Sequence, residues 1–334
     1  MTENNLQTCT CLSIKQTAKL LKRNNNFIIL THSSPDGDTL GSGFALFYAL
    51  KMLNKKVAVL CPDTIPEKYR YFVSNTDMVS DSGAYVVAVD VADKALLGCY
   101  EEKFGDRVDL CIDHHISNTK YAKNLLLDSD ASAACEVIYE LLLCMHIKIN
   151  DIIAKALYTG ISTDTGCFKY QNVTAKTHKI AARLYDYNIK ADEINRIMFD
   201  TKSRQFLELE RLVLDTAEYH FNDKCMVLTV TSEMLEKTGC SGNELEKIAV
   251  MSRSVEGVIC GVSIKQTDAD TFKVSLRTYP PLNASNIGSK LGGGGHKAAA
   301  GATVKGDLNS VKEKILQVIK EVMEQSNDGT TADK

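Results

Sequence analysis

The chain has 334 residues with 39 basic and 42 acidic side chains, a formal net charge of −3, and 44% hydrophobic residues. This composition excludes a disordered chain, a collagen or coiled-coil fibre and a disulfide miniprotein. The charge balance excludes a broadly basic nucleic-acid coat protein, and the length predicts two domains.

The opening segment and the cysteines predict the compartment. No run of about 18 apolar residues occurs, and the polar start lacks the pattern of a signal peptide. The eleven cysteines include one close pair, Cys9 and Cys11, and no C-x-x-C spacing. We interpret them as reduced thiols. These features predict a cytoplasmic protein that does not bind membranes.

The first half of the chain alternates helical and strand patterns. Helices are predicted over 12–24, 40–53, 131–145 and 152–162. Strands are predicted over 27–30, 57–60, 85–89 and 108–112. Their continuous apolar runs are typical of strands that are covered on both faces of a parallel sheet. We therefore predict an α/β domain over 1–190, with helices on both faces of a parallel sheet.

The second half has a different pattern. Residues 191–215 are charged and lack Gly and Pro, which predicts a helical connector. Two hairpins follow, one around Asn222 and Asp223 and one around 268–270, and a helix is predicted over 308–323. We predict a smaller α/β domain with a mixed sheet over 216–325 and a disordered tail over 326–334.

Carboxylates and imidazoles follow the predicted strands and one helix of the first half. They are His32, Asp36, Asp38, Asp90, Asp113, His114, His115 and Asp164. Ligands bind at the carboxyl ends of parallel strands, so these groups are expected to converge. Crowded groups of this kind need cations to neutralise them, and mixed carboxylate and His ligation suits Mn²⁺. Taken alone, Asp36 or Asp38 could simply cap the helix that begins near Leu40.

A second unusual element lies near the C-terminus. Four glycines, 292–295, precede His296, which indicates a close approach of backbone N–H groups to a phosphate or else a flexible turn. Residues 253–297 carry six basic side chains against three acids, which indicates an anion site or else a solvated strand face. The six are Arg253, Lys265, Lys273, Arg277, Lys290 and Lys297.

Together these motifs resemble the DHH phosphoesterase superfamily, named for the triplet at 113–115. The other motifs are HSSPDGDTLGS at 32–42, VDVAD around Asp90, GISTDTG around Asp164, and SLRTY…GGGGHKAAAG at 275–301. The last of these resembles the DHH-associated C-terminal domain. The two-domain layout is similar to the bacterial NrnA-type group of nanoRNases and 3′-phosphoadenosine 5′-phosphate (pAp) phosphatases.

The resemblance implies a site with two Mn²⁺ ions. One cage would be built mainly from His32, Asp36 and Asp90, and the other from Asp38, Asp90, His114 and Asp164. His115 and Asp113 would be catalytic, with His115 facing the substrate. The nucleotide and its terminal phosphate would be bound from the facing domain by Arg277, Gly293, Gly294, Gly295 and His296. Thr39 and Thr278 depart from the residues that many relatives carry, but neither replaces an implied ligand.

The function implied is hydrolysis of oligoribonucleotides of about two to five nucleotides to mononucleotides, and of pAp to AMP and phosphate. A phosphodiesterase specific for pApA, from cyclic di-AMP turnover, and a nucleotide sensor without turnover stay open as alternatives. A family II pyrophosphatase shares the metal motifs, but the GGGGH segment argues against it. A homodimer is a further expectation.

Overall fold

The computed structural model describes residues 9–240 and 245–329. The chain divides into two compact units, Met1–Thr201 and Lys202–Lys334. The division falls inside the segment 191–215 that we expected to connect two domains. No helix within the described ranges is long and apolar enough to cross a bilayer.

The first unit is built on a parallel sheet. Its strands are β1 (Thr10–Cys11), β2 (Asn26–Leu30), β3 (Lys56–Leu60), β4 (Tyr85–Val89), β5 (Leu110–Asp113) and β6 (Asn124–Leu127). They are ordered β1-β6-β5-β4-β2-β3, so β2, β4 and β5 are neighbours. The predicted parallel sheet is confirmed. The prediction missed β1, which has only two residues, and β6, which has three apolar residues against the four or five of each predicted strand.

Helices cover both faces of this sheet, as predicted. They are α1 (Ile14–Arg23), α2 (Gly37–Met52), α3 (Glu101–Phe104), α4 (Ala134–Cys144), α5 (Asp151–Asp164), α6 (Ala175–Leu184) and α7 (Ala191–Asn195). One core includes Phe44 of α2 and Leu157 of α5. On the other face, Leu97 and Phe104 pack from short helical segments. The helix α2 begins three residues before its predicted start, because Asp36 caps it.

The second unit contains a mixed sheet ordered β11-β12-β10-β9-β8-β7, which confirms that prediction. Its strands are β7 (Glu218–His220), β8 (Cys225–Val230), β9 (Cys260–Asp268), β10 (Thr271–Thr278), β11 (Gly294–Gly295) and β12 (Ala299–Lys305). The pair β8 and β9 is parallel, and the other neighbours are antiparallel. Both hairpins form at the predicted turns, with Asn222 and Asp223 in the left-handed backbone region.

The helices of the second unit are α8 (Arg204–Leu214), α9 (Ser232–Thr238), α10 (Glu246–Met251), α11 (Ala284–Lys290) and α12 (Leu308–Gly329). One face of the sheet, including Val262 and Leu276, packs against Ile315 and Ile319 of α12. On the other face, β8 packs against α8 and α10. The helix α12 continues to Gly329, so residues 326–329, which we expected to be disordered, are helical. Residues 330–334 lie outside the described residues.

Candidate metal centre

The first unit brings together the six residues that the sequence suggested as metal ligands. His32 follows β2, Asp90 follows β4 and His114 follows β5, and these three strands are adjacent. Asp36 and Asp38 stand at the start of α2, and Asp164 is the last residue of α5. The strand order therefore places segments that are distant in sequence at one end of the sheet.

Two groups of side chains share Asp90. Its Oδ2 lies 3.6 Å from Nε2 of His32, and that nitrogen lies 3.6 Å from Oδ1 of Asp36. Its other oxygen, Oδ1, lies 3.6 Å from Nε2 of His114. The His114 nitrogen also lies 3.8 Å from Oδ2 of Asp38 and 3.7 Å from Oδ2 of Asp164. Each oxygen of Asp90 thus faces a different imidazole.

These separations fit ligands of a cation better than hydrogen bonds. They exceed hydrogen-bond length. Ligand atoms about 2.0–2.2 Å from one ion lie roughly 3–3.6 Å from each other. The three separations at Asp90 and Asp36 reach this range, and those from His114 to Asp38 and Asp164 are slightly longer. Within the described part of the chain, Oδ1 of Asp90 and Nε2 of His114 are buried without a hydrogen-bond partner. Buried polar atoms of this kind are costly, so the donor set fits divalent cations.

The backbone orients both imidazoles. Nδ1 of His32 lies 2.7 Å from the carbonyl oxygen of Ser33, and Nδ1 of His114 lies 3.2 Å from that of Ala131. A carbonyl oxygen only accepts, so Nδ1 carries the hydrogen in each ring. Whenever such a ring is neutral, the lone pair of Nε2 points at the carboxylates, as in metal-ligating histidines.

Asp38 is held by the beginning of α4. Its Oδ2 accepts the backbone N–H of Ala134 at 2.6 Å, and its Oδ1 accepts that of Cys135 at 2.9 Å. The helix α5 packs closely here, because a Cβ at Gly160 would lie 2.2 Å from Sγ of Cys135 and 2.7 Å from Oδ1 of Asp38. Glycine is therefore required at position 160 for Asp38 to keep this place.

The backbone at Asp90 is strained, and Thr39 supports it. Asp90 has a φ of 60°, in the left-handed region that only a small fraction of non-glycine residues adopt. The buried hydroxyl of Thr39 donates to the carbonyl oxygen of Val89 at 3.2 Å and accepts the N–H of His32 at 3.3 Å. These two hydrogen bonds connect the end of β4 with His32, which follows β2.

The charged groups of the cluster shift one another's pKa values. Burial, followed by the charge of Asp38, raises the pKa of Asp90 well above its usual range. Burial and the charges of Asp38 and Asp36 likewise raise the pKa of Asp164. Burial alone would lower the pKa of His32, but its contacts with Asp36 and Asp90 outweigh burial and raise it to about 11. Protons therefore compensate the charge of the metal-free cluster, as cations would.

A separate hydrogen-bond chain supports His115. Its Nδ1 lies 2.8 Å from Oδ1 of the fully buried Asp113, whose Oδ2 accepts Nδ2 of Asn118 at 2.7 Å. Burial would raise the pKa of Asp113, but the hydrogen bonds from His115 and Asn118 outweigh it, so the pKa is lowered. Nδ1 of His115 also lies 3.5 Å from Oδ1 of Asp90. Asn118 was missed by the sequence analysis because no motif marks it.

The expected nucleotide-binding residues lie in the second unit. Arg277 is half-buried on β10 and pairs in register with Ala299 of β12. Gly294 and Gly295 form β11, which pairs with the same strand, β12. Added Cβ atoms at Gly293 and Gly295 would lie 2.0 Å and 2.5 Å from backbone oxygens of this hairpin. Backbone packing thus requires two of the glycines, whereas a Cβ at Gly294 would meet open space.

Known proteins resemble the chain over both units. Residues 26–161 match the profile of the DHH family, N-terminal domain, and residues 222–325 match that of the DHHA1 domain. The bifunctional oligoribonuclease and PAP phosphatase NrnA of Thermus thermophilus is 33% identical over 302 residues, which cover 88% of this chain and 89% of that protein. The Bacillus subtilis protein of the same name is 28% identical over 286 residues, which cover 84% and 90%.

A crystal structure of an exopolyphosphatase-related protein from Bacteroides fragilis has the same fold. It superposes with a TM-score of 0.83 at 22% identity, and the match covers 93% of this chain and 95% of that one. The two domain matches, the Thermus relative and the shared fold agree with the predicted resemblance. The chain therefore belongs to the DHH family of phosphoesterases, and is a hydrolase with a DHHA1 domain after its DHH domain.

Proposed function

We propose that this protein is a Mn²⁺-dependent two-metal phosphoesterase that hydrolyses short oligoribonucleotides to mononucleotides and pAp to AMP and phosphate. The observation that carries the two-metal part is the position of Asp90, whose two oxygens lie 3.6 Å from the Nε2 atoms of His32 and His114. The substrates are supported by the relatives of Thermus thermophilus and Bacillus subtilis, which are named for both activities and resemble most of this chain.

The donor set supports Mn²⁺. His32, Asp36 and Asp90 would hold one ion, and Asp38, Asp90, His114 and Asp164 the other. Imidazole and carboxylate ligands without thiolate suit a divalent ion of this kind. Two such ions supply a water of lowered pKa and stabilise the charge that develops on a phosphoryl group.

His115 acts as the general acid that protonates the leaving oxygen. The carboxylate of Asp113 accepts the Nδ1 hydrogen at 2.8 Å, which fixes the orientation of the ring. Nε2 is then the nitrogen that donates a proton to the leaving oxygen. Asn118 and the backbone N–H of His114 donate to Asp113, so this carboxylate stays ionised and in place.

Arg277 and the segment Gly293–His296 bind the nucleotide. A guanidinium group pairs with a phosphate through two parallel hydrogen bonds. The open position at Gly294 leaves backbone accessible to an anionic ligand. Since pAp and an oligoribonucleotide both present a phosphate ester on a nucleoside, one site of this composition serves both.

A product-resolved time course with Mn²⁺ tests the proposal. The substrates are pAp, pApA, a five-nucleotide RNA, a long single strand and pyrophosphate, each given to the wild type and to Asp90→Asn. We expect mononucleotides from the short RNAs, phosphate from pAp, and nothing from pyrophosphate, with all activity lost in the variant. Cleavage of only pyrophosphate or only the long strand contradicts the substrates. A wild type that cleaves nothing contradicts the catalytic role and favours a nucleotide sensor.

A further inference from the structure

Two lysines face each other on the second sheet. Lys265 of β9 and Lys273 of β10 are direct partners in the antiparallel register. Side chains alternate between the faces of a strand, so Lys273, Ser275 and Arg277 lie on the same face. Lys265 shares that face because it is the register partner of Lys273. The two lysines and the expected nucleotide-binding arginine therefore belong to one surface.

This surface is polar and open along β10. The register partners of Ser275 are Ser263 on β9 and Gly301 on β12, and Lys273 pairs with Thr303 on the β12 side. The strand positions 261–265, 273–277 and 299–303 contain no acidic residue. Lys273 is exposed, and Ser275 and Arg277 are partly exposed. On β9, Ser263 is buried and a Cβ at Gly261 would lie 2.7 Å from the backbone nitrogen of Arg253, so the room for a ligand lies along β10 and beside Lys265.

The lysine pair carries uncompensated charge. Like charges at directly opposed positions destabilise a sheet. Among the described residues, neither lysine forms an ion pair, whereas Lys290 of the same basic segment pairs with Glu321 at 3.0 Å. Arg253 of that segment lies over the ring of Tyr279 at 4.6 Å. An anionic ligand would offset the repulsion between Lys265 and Lys273.

We propose that Lys265 and Lys273 bind a backbone phosphate of a short RNA at a distance from the phosphate that Arg277 holds. This inference rests on the proposed function. Lys273 lies four residues from Arg277, roughly 13 Å along an extended strand. Side chains standing perpendicular to the sheet at those two positions serve two different phosphates. The pair then favours RNAs of several nucleotides and does not contribute to hydrolysis of pAp.

A double variant with a matched control tests this role. Lys265→Gln/Lys273→Gln removes two charges from the surface, and Lys314→Gln/Lys320→Gln removes two exposed charges from α12, which packs on the opposite face of the sheet. Hydrolysis of a five-nucleotide RNA and of pAp is measured at several salt concentrations. We expect kcat/KM for the RNA to fall about tenfold in the first variant only, with pAp changed less than about twofold. The salt dependence for the RNA becomes shallower by about one in log–log slope.

Three results would overturn the proposal. These are an unchanged kcat/KM for the five-nucleotide RNA, an equal fall for pAp, and an equal fall in the α12 control. If the wild type cleaves neither substrate, this result contradicts the proposed function but not the role of the lysines in binding RNA. The lysine role is then decided by the binding of a fluorescein-labelled five-nucleotide RNA in EDTA. Weaker binding by the sheet variant than by the control supports it, and equal binding refutes it.

Discussion

Nδ1 of His115 lies 2.8 Å from Oδ1 of the buried Asp113. The two histidines of the DHH triplet therefore have different surroundings. His114 directs its Nε2 into the carboxylate cluster, whereas His115 is held by Asp113. Asp113 itself accepts hydrogen bonds from Asn118 and from backbone N–H groups. This arrangement separates Asp113, which orients His115, from the six expected metal ligands, although Nδ1 of His115 also lies 3.5 Å from Oδ1 of Asp90.

The Asp113→Asn protein tests the separation. The amide would place a donor against either Nδ1 of His115 or Nδ2 of Asn118, so the imidazole would lose its fixed orientation. We expect kcat for pAp and short RNA to fall about 10²–10³-fold, the range of a lost general acid. Bound metal, measured by elemental analysis, is expected to stay at the wild-type level. A variant with normal kcat would refute the proton-donor role of His115.

Asp90→Asn and Asp36→Asn are expected to differ in metal content. Asp90 lies 3.6 Å from an imidazole in each of the two groups, whereas Asp36 lies 3.6 Å from the imidazole of His32 in one group. Asn also caps helices, so the start of α2 is preserved in Asp36→Asn. We expect Asp36→Asn to retain about one ion per chain and Asp90→Asn to retain less, with activity at least about 10³-fold lower in the second. Asp106→Asn, at an exposed residue paired with Lys94, is the control. Two tightly bound ions in Asp90→Asn would contradict the shared position.

Binding of Mn²⁺ is expected to strengthen as the pH rises. The pKa of His32 is raised to about 11 in the metal-free protein, so its ring is protonated at pH 6 to 9 and a cation must displace that proton. Protonation of His32 stabilises the folded, metal-free protein. This contribution to the free energy of unfolding is fully present below pH 6.5, the ordinary pKa, and is lost as the pH rises through about 11. Each displaced proton increases the apparent affinity up to tenfold per pH unit. Calorimetry in buffers of different ionisation enthalpy measures the protons released, and a pH-independent affinity would contradict this account.

Removal of metal is expected to destabilise the protein. Without cations, the buried Asp38 and Asp90 and the partly exposed Asp164 lie close together and their pKa values are raised, which shows that their ionised forms are disfavoured. A ligand at 100 times its Kd stabilises the folded state by about 2.7 kcal/mol. Thermal unfolding of the wild type with EDTA and with excess Mn²⁺ measures the difference. The shift should be much smaller in Asp90→Asn, and an equal shift there would indicate that Mn²⁺ acts elsewhere.

Gly160→Ala is expected to disturb the site through packing. The added Cβ would lie 2.2 Å from Sγ of Cys135 and 2.7 Å from Oδ1 of Asp38. Such an overlap costs about 1–3 kcal/mol of stability and displaces Asp38, so activity falls as well. Gly105→Ala is the control, because its Cβ would have neighbours at 3.4 Å or more. Denaturant unfolding and pAp hydrolysis together check the prediction, and a fully active, stable Gly160→Ala protein would contradict it.

Much of the fold follows from local sequence patterns and could be predicted from them. Continuous apolar runs identified β2 to β5, and the residues around Asn222 identified a hairpin. The strands β1 and β6 were not predicted, because β1 has only two residues and β6 has only three apolar ones. The helix α2 begins before its predicted start because Asp36 caps it as well as contacting His32, and a polar first turn shows no apolar periodicity. In the structure, Asp36 accepts hydrogen bonds from the first backbone N–H groups of α2 and also lies 3.6 Å from Nε2 of His32.

The sequence by itself determined which side chains are available for the chemistry and that they follow neighbouring elements of an α/β domain. Tertiary structure alone decided that the two oxygens of Asp90 face different imidazoles, that the start of α4 holds Asp38, and that Asn118 supports Asp113. The physical reason is that residue type and local pattern are properties of a segment. Strand order and close helix packing depend instead on contacts between segments as far apart as residues 38 and 134.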